Sequence, residues 1–159
     1  MQQNRITLLL IGLVIALGAY AQSYNSDRVL FTNFLKRMYN NAPFEGVRAV
    51  NDYDSAYLIS VLALDGAKYK TESIFNRVAS VKAMAQASRY LNGSQITQEM
   101  IIHTTEKQDG TSDTDIVESI RENSVGYVKA LEQLTNFKRK DGMQVFIFIT
   151  PLQLNVNIK

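Results

Sequence analysis

The stretch NFKRKDGMQVFIFIT, Asn136 to Thr150, decides how this chain folds. It places Lys140-Asp141-Gly142 between two runs of residues, and Asp-Gly in such a place is typical of the turn of a β-hairpin. The second run, Gln144 to Thr150, is apolar on both faces, as in a strand near the middle of a sheet. The stretch therefore predicts a hairpin whose second strand is buried.

A second strand of the same kind precedes this hairpin in the chain. AYLISVLAL, Ala56 to Leu64, is rich in residues that favour strands and is apolar on both of its faces. Asp65-Gly66 punctuates its end. We expect this strand to be central in the sheet and covered on both sides.

The segment from Thr71 to Leu91 predicts a long helix, with Thr71 and Glu72 at its start and Asn92-Gly93 at its end. Its apolar residues form two surfaces. One is a narrow stripe of larger side chains, and the other consists of small side chains that let another backbone approach closely. We expect the helix to contact two layers through these surfaces, which are Ile74, Val78, Val81 and Ala85, and Ala79, Ser80, Ala83 and Ala87.

Two further segments have clear periodicity. From Asp27 to Asn40, apolar residues recur at helical spacing, with Ser26 as a cap and Pro43 beyond the end, which predicts an amphipathic helix. From Ile96 to Thr105, apolar and polar residues alternate, which predicts a half-exposed strand.

The segment from Ile116 to Phe137 fits two structures. Its apolar residues scan as a helix, but they also permit a long strand with a bulge at Gly126. Because the segment runs into the hairpin, we predict a strand from Val125 to Phe137. The residues from Asp115 to Ser124 stay open between helix and strand.

The chain ends in PLQLNVNIK, in which every second residue after Pro151 is apolar. Such a segment predicts a one-sided strand at a sheet edge, and Pro151 removes one donor from the ladder. Two roles fit it, an ordinary last strand in the domain's own sheet or a strand donated to another chain. The predicted interaction edge is Leu152, Leu154, Val156 and Ile158.

Together these elements predict an α+β fold. We expect an antiparallel sheet of four to five strands, with the long Ala-rich helix packed on one face and the N-terminal amphipathic helix in addition.

The first 21 residues have the pattern of a secretory signal peptide. Arg5 precedes an uncharged apolar run from Ile6 to Leu17, and Ala19 and Ala21 flank Tyr20 as in an A-x-A cleavage site. We expect residues 1–21 to be removed and residues 22–159 to form a single exported domain. A retained anchor is the alternative, but the run is shorter than a membrane span, so no integral span is expected after cleavage.

The composition excludes several classes of function. With no cysteine, the chain can have no disulfide, no thiol nucleophile, no thiolate metal site and no lipid-carrying cysteine. The net charge of +2, part of which leaves with Arg5, is too small to favour binding to nucleic acid. The glycines form no phosphate-binding motif, and we expect no cofactor and no metal.

Two long stretches resemble a known family. RVASVKAMAQASRYLNGS, Arg77 to Ser94, and SVGYVKALEQLTNFKRKDGMQVFIFITPL, Ser124 to Leu152, are similar to the twenty-kilodalton bacterial envelope lipoprotein family and related exported proteins of unknown function. The resemblance implies an envelope-associated α+β domain with a helix packed on an antiparallel sheet, and no catalytic residues to carry over. This chain departs from it in lacking the acylated cysteine. With the leader, it implies a periplasmic, outer-membrane-associated or secreted location in a Gram-negative bacterium.

Few residues could carry chemistry. His103 is the only histidine, on the polar side of the strand from Ile96, and no nucleophile elbow or triad spacing accompanies it. We therefore expect no enzyme and no catalytic residues, with an exported hydrolase that uses His103 as the third hypothesis. Four acidic residues crowd one polar stretch without the spacing of a calcium loop, namely Asp109, Asp113, Asp115 and Glu118.

Asp54-Ser55-Ala56 resembles a short acceptor motif for O-linked sugars, so Ser55 is a candidate O-glycosylation site. The predicted function is a non-enzymatic exported domain of the cell envelope, with a structural or protein-interaction role, and the expected partner is another protein or a second copy. The alternative is a pocket between helix and sheet that binds a small ligand or a glycan and is rimmed by tyrosines.

Overall fold

The computed structural model describes residues 27–52, 55–93, 101–103 and 113–153. The chain divides into two compact units, Met1–Pro43 and Phe44–Lys159. The predicted signal peptide lies outside the described residues.

The first unit contains helix α1, residues 27–41. Phe31, Leu35 and Tyr39 form its buried stripe at four-residue spacing, whereas Val29 and Leu30 near its start are exposed. The Ala42 amide donates to the Met38 carbonyl at 2.9 Å just before Pro43, where the helix ends. The predicted N-terminal amphipathic helix is confirmed.

The second unit is a five-stranded sheet with helices. Its elements in chain order are β1 Gly46–Asp52, β2 Ser55–Leu64, a 3-10 turn Gly66–Lys68, α2 Glu72–Gly93, β3 Ile101–His103, α3 Asp113–Glu122, α4 Ser124–Lys129, β4 Glu132–Lys138 and β5 Gln144–Pro151. The strand order is β3-β1-β2-β5-β4, so β2 lies in the middle and β5 beside it. The predicted α+β class is confirmed.

The hairpin β4–β5 closes as its sequence predicts. The Arg139 amide donates to the Met143 carbonyl at 2.8 Å, and the Gly142 amide donates to the Arg139 carbonyl at 3.0 Å. Gly142 has φ near 90°, a conformation that a side chain disfavours. Arg139 donates through Nη2 to the Asp141 carboxylate at 2.6 Å, so this residue of the basic run stabilises the turn.

Both faces of β2 are buried. Leu58 and Leu62 belong to the core cluster on the side of α2, and Ile59 and Val61 on the opposite face are buried as well. The prediction of a central strand covered on both sides is confirmed.

The helix α2 packs on this sheet and on α4. Its first turn is capped by Thr71, whose Oγ1 accepts a hydrogen bond from the Ile74 amide at 3.2 Å. The described helix runs to Gly93, two residues beyond the predicted last residue, Leu91.

The predicted strand from Val125 to Phe137 is wrong in its first half. Residues Asp113–Glu122 and Ser124–Lys129 form two short helices, and β4 begins only at Glu132. The sheet irregularity lies between Gln133 and Thr135, and Gly126 is helical. The reason is tertiary: a helix lets Tyr127 and Leu131 enter the core beside Ile116 and Ile120, which the same apolar pattern also allows.

The prediction of a wholly antiparallel sheet is also wrong at one pair. β3 runs parallel to β1, with Val50 opposite Ile102. Alternation of apolar and polar residues shows which side chains share a face, but it does not show the direction of the strand. Because β2 and α2 lie between β1 and β3 in the chain, no tight turn forces these two strands to be antiparallel. The rest of the predicted strand from Ile96 to Thr105 lies outside the described residues.

Candidate interaction site

The structure places the candidate chemical residues on different elements. His103 ends β3, in register with Asn51. Asp113 and Asp115 lie in the first turn of α3, and Asp109 falls outside the described residues. Within the described part of the chain, no three histidine, aspartate or glutamate residues are grouped so that they could hold a metal ion.

Ser55 is the first residue of β2 and is exposed, in register with Asp52 of β1. The position is accessible, and O-glycosylation of Ser55 stays a prediction.

Leu152, the first residue of the predicted interaction edge, is buried in the domain's own core. Its amide donates to the Ala56 carbonyl at 2.8 Å, which continues the pairing of β5 with β2. Leu154, Val156 and Ile158 lie outside the described residues.

Two buried hydroxyl groups form hydrogen bonds with the main chain just after β5. The Tyr127 hydroxyl accepts the Gln153 amide at 2.9 Å and lies 2.7 Å from the Ser119 hydroxyl, which donates to the Gln153 carbonyl at 2.5 Å. Each hydroxyl can therefore donate once and accept once in a closed ring. We name this ring the C-terminal clamp.

The C-terminal clamp supplies Gln153 with the hydrogen bonds that β4 would supply if it extended that far. β4 begins at Glu132, opposite Ile149, so it does not reach Gln153. Side chains of α3 and α4 satisfy the main chain there, whatever side chain position 153 carries. Neither Ser119 nor Tyr127 was predicted for this role, because they come together only through the break between the two helices.

The middle of the face of α2 that meets the sheet is built from small side chains, whereas Phe75, Tyr90 and Leu91 pack against the core nearer the helix ends. Ala79, Ala83 and Ala87 are all completely buried. The Ser60 hydroxyl of β2 donates to the Ala83 carbonyl at 3.2 Å, and Gln86 Nε2 donates to Ser60 Oγ at 3.1 Å. Small residues let the helix come close enough for these bonds. We name this the inner face of α2.

The opposite side of α2 carries larger apolar side chains in solvent. Ile74 is 48% exposed and Val81 is 59% exposed. The two residues lie two helical turns apart on the same side of the helix. Val78, which lies between them, is half-buried, and Ala85, one turn after Val81, is exposed. The predicted larger stripe is therefore present, but it faces away from the sheet, and among the described residues nothing covers Ile74 and Val81 as a second layer would.

Three cations border this stripe. Arg77, Lys82 and Arg89 are exposed, and helical spacing places them on both sides of the line from Ile74 to Ala85. The acidic residue of α2, Glu72, lies on the far side of the helix at this spacing. We name the whole surface the outer face of α2. It consists of Ile74, Arg77, Val78, Val81, Lys82, Ala85 and Arg89.

A hydrogen bond holds the guanidinium of Arg89 on the helix surface beside the apolar stripe. Its Nε donates to the Ala85 carbonyl at 3.2 Å along the helix surface. The stem of the side chain thus lies against the helix beside the apolar stripe. Long basic side chains of this kind cover apolar surface with their stems and present their charged ends to the surroundings.

The pKa of Tyr90, also on α2, departs from its usual value. Burial raises the pKa of its hydroxyl, and the Arg48 charge lowers it by a smaller amount. The Arg139 side chain, by contrast, lowers the pKa of Asp141 chiefly by hydrogen bonding to it in the hairpin.

Comparisons of the chain with protein-family models, with curated proteins and with solved structures give no match. The resemblance to the envelope lipoprotein family stays a prediction. Among the described residues, no helix combines the length and the apolar character that crossing a membrane requires.

Proposed function

We propose that this protein is a non-enzymatic exported domain of the cell envelope, with a structural or interaction role exerted through the outer face of α2. The observation that carries the proposal is that Ile74 and Val81 are exposed on a helix whose alanines are buried. Apolar side chains grouped on one side of a helix are stabilised when a partner covers them. The export of the domain is inferred from its leader.

The bordering charges favour an anionic partner. Arg77, Lys82 and Arg89 surround the stripe, so an acidic or phosphate-bearing surface would be attracted over the whole length of the face. A second copy of the same face would bring like charges together and is disfavoured for that reason.

The packing of α2 gives no support to a ligand pocket between this helix and the sheet. Ala79, Ala83 and Ala87 fill that space together with Leu58 and Leu62, and Gln86 Nε2 bonds directly to the Val61 carbonyl at 3.0 Å. The alternative function therefore has no observation in its favour.

Labelling of single cysteines in native envelopes tests the proposal. Because the natural chain has no cysteine, a Val81→Cys variant has one thiol, and its reaction with a polar maleimide reports access to that position alone. We expect the thiol to react much more slowly in isolated envelopes than in the purified protein, because the outer face is covered there.

A Lys140→Cys variant in the exposed turn of the hairpin is the matched control and should react at the same rate in both preparations. Equal rates for Val81→Cys in envelopes and in purified protein would show that the outer face of α2 is not a contact surface, and the proposed function would fail.

A further inference from the structure

We propose that the outer face of α2 binds peripherally to the surface of an anionic membrane, with the cations at the phosphate level and the apolar stripe at the boundary of the acyl chains. The inference rests on the proposed function, since it names the partner of the same face.

The shape of the face favours a membrane over a protein. The apolar part of the outer face is a single row of aliphatic side chains about 17 Å long, Ile74, Val78, Val81 and Ala85. Aromatic anchors set in pockets usually dominate protein interfaces, and this row contains none. A lipid surface needs neither a pocket nor a matching shape, only a straight apolar line with polar borders.

The charge pattern agrees with this geometry. Arg77 lies on one border of the row, and Lys82 and Arg89 lie on the other, so both borders can reach headgroup phosphates when the row faces the bilayer. Each basic residue near an anionic membrane adds to the attraction, and salt weakens it.

The apolar row is too small to bind without the charges. It contains no Phe, Trp or Leu, so its insertion is shallow, and neutral lipid alone should not retain the protein. Binding should therefore need anionic lipid and be reversible. A domain that binds in this way stays at a membrane without spanning it.

Vesicle co-sedimentation tests the inference. The protein, purified as it accumulates in its host, is mixed with phosphatidylcholine vesicles that contain either no anionic lipid or about 30 mol % phosphatidylglycerol. We expect binding to the anionic vesicles only, and its loss at roughly 0.5 M salt because the Debye length is then only a few ångström.

Two variants with the same change of net charge locate the binding surface. Lys82→Glu with Arg89→Glu should weaken binding more than about tenfold, because two attractions become repulsions. Lys138→Glu with Lys140→Glu in the hairpin should leave it nearly unchanged. Val81→Ser, at constant charge, should weaken it about threefold through the lost apolar contact. All five positions are exposed, and circular dichroism checks that each variant is folded.

Three results would overturn the inference: no binding to anionic vesicles, equal losses for both charge variants, or no effect of either. If the protein does not bind anionic vesicles while the Val81→Cys thiol is protected in envelopes, the partner is an acidic protein, and only the membrane inference is wrong. If the Val81→Cys thiol is unprotected as well, the proposed function falls with it.

Discussion

In the middle of α2, small side chains are buried and larger apolar ones are exposed, which is the reverse of what hydrophobicity alone would assign. The inner face has Ala79, Ala83 and Ala87 fully buried in its middle, whereas Ile74 and Val81 on the outer face are exposed to solvent. Larger side chains of α2 do pack against the core, but nearer the helix ends, and these are Phe75, Tyr90 and Leu91. If burial of apolar area alone chose the face, the larger side chains would be inside.

Distance explains the inversion. Ser60 and Gln86 join the sheet to the helix by hydrogen bonds of 3.0 to 3.2 Å, and such bonds require the helix backbone to lie close to β2. Alanine allows that approach, and isoleucine or valine in the same place would push the helix away. Where α2 crosses β2 most closely, side-chain size, more than apolar character, decides which residues face the sheet.

Enlarging the inner face should have the largest effect. Ala83→Leu should lower the free energy of unfolding by about 3 kcal/mol, because the added carbons have no space and would separate Ser60 from its acceptor. Urea denaturation followed by circular dichroism measures the change.

The matched variant on the other face is Val81→Leu, which should change the free energy of unfolding by less than about 0.5 kcal/mol. If both variants lost the same stability, size would not distinguish the faces and the comparison would be wrong.

Removing the polar contact between helix and sheet should have the next largest effect. Ser60→Ala should cost about 1 to 2 kcal/mol, because the Ala83 carbonyl and one Gln86 donor lose their buried partner. The same denaturation experiment measures it, with Ser55→Ala at the exposed start of β2 as the control. A neutral result for Ser60→Ala would mean that close packing of the alanines alone fixes α2.

At alkaline pH, ionisation of Tyr90 should lower the free energy of unfolding by a smaller amount. Its folded pKa is raised above the unfolded value near 10, so its contribution is present below pH 10 and is lost as pH rises through the folded pKa. A Tyr90→Phe variant should therefore lose less stability than the natural protein between neutral pH and about pH 11. Identical pH profiles from thermal unfolding would show that the burial of Tyr90 does not oppose its ionisation.

Reducing the outer face should have the smallest effect on folding. Ile74→Ser should change the free energy of unfolding by less than about 0.5 kcal/mol, since about half of this side chain is already in water. A thermal unfolding curve close to that of the natural protein is expected. A loss of 2 kcal/mol or more would show that this face stabilises the domain and does not serve contact.

Strong local signals predicted most of the fold. The hairpin around Gly142, the central strand from Ala56 and the helix capped by Thr71 all lie where their residues indicated. Each depends on turn chemistry, capping or an apolar run long enough to have one interpretation.

The segment between Asp113 and Leu131 could not be predicted because its apolar spacing fits both helix and strand. What selects the helices is burial of Tyr127 and Leu131 beside Ile116 and the closure of the C-terminal clamp on Gln153. These contacts join residues far apart in the chain, so no local pattern records them.

By itself, the sequence determined that the domain has no cysteine chemistry, that its sheet contains strands apolar on both faces, and that α2 has two apolar surfaces of different size. Only the tertiary structure decided which surface packs, that β3 runs parallel to β1, and that Tyr127 holds the end of β5. The physical reason is that periodicity gives each residue a side of its element, whereas the distance and direction of the neighbouring elements depend on contacts between distant parts of the chain.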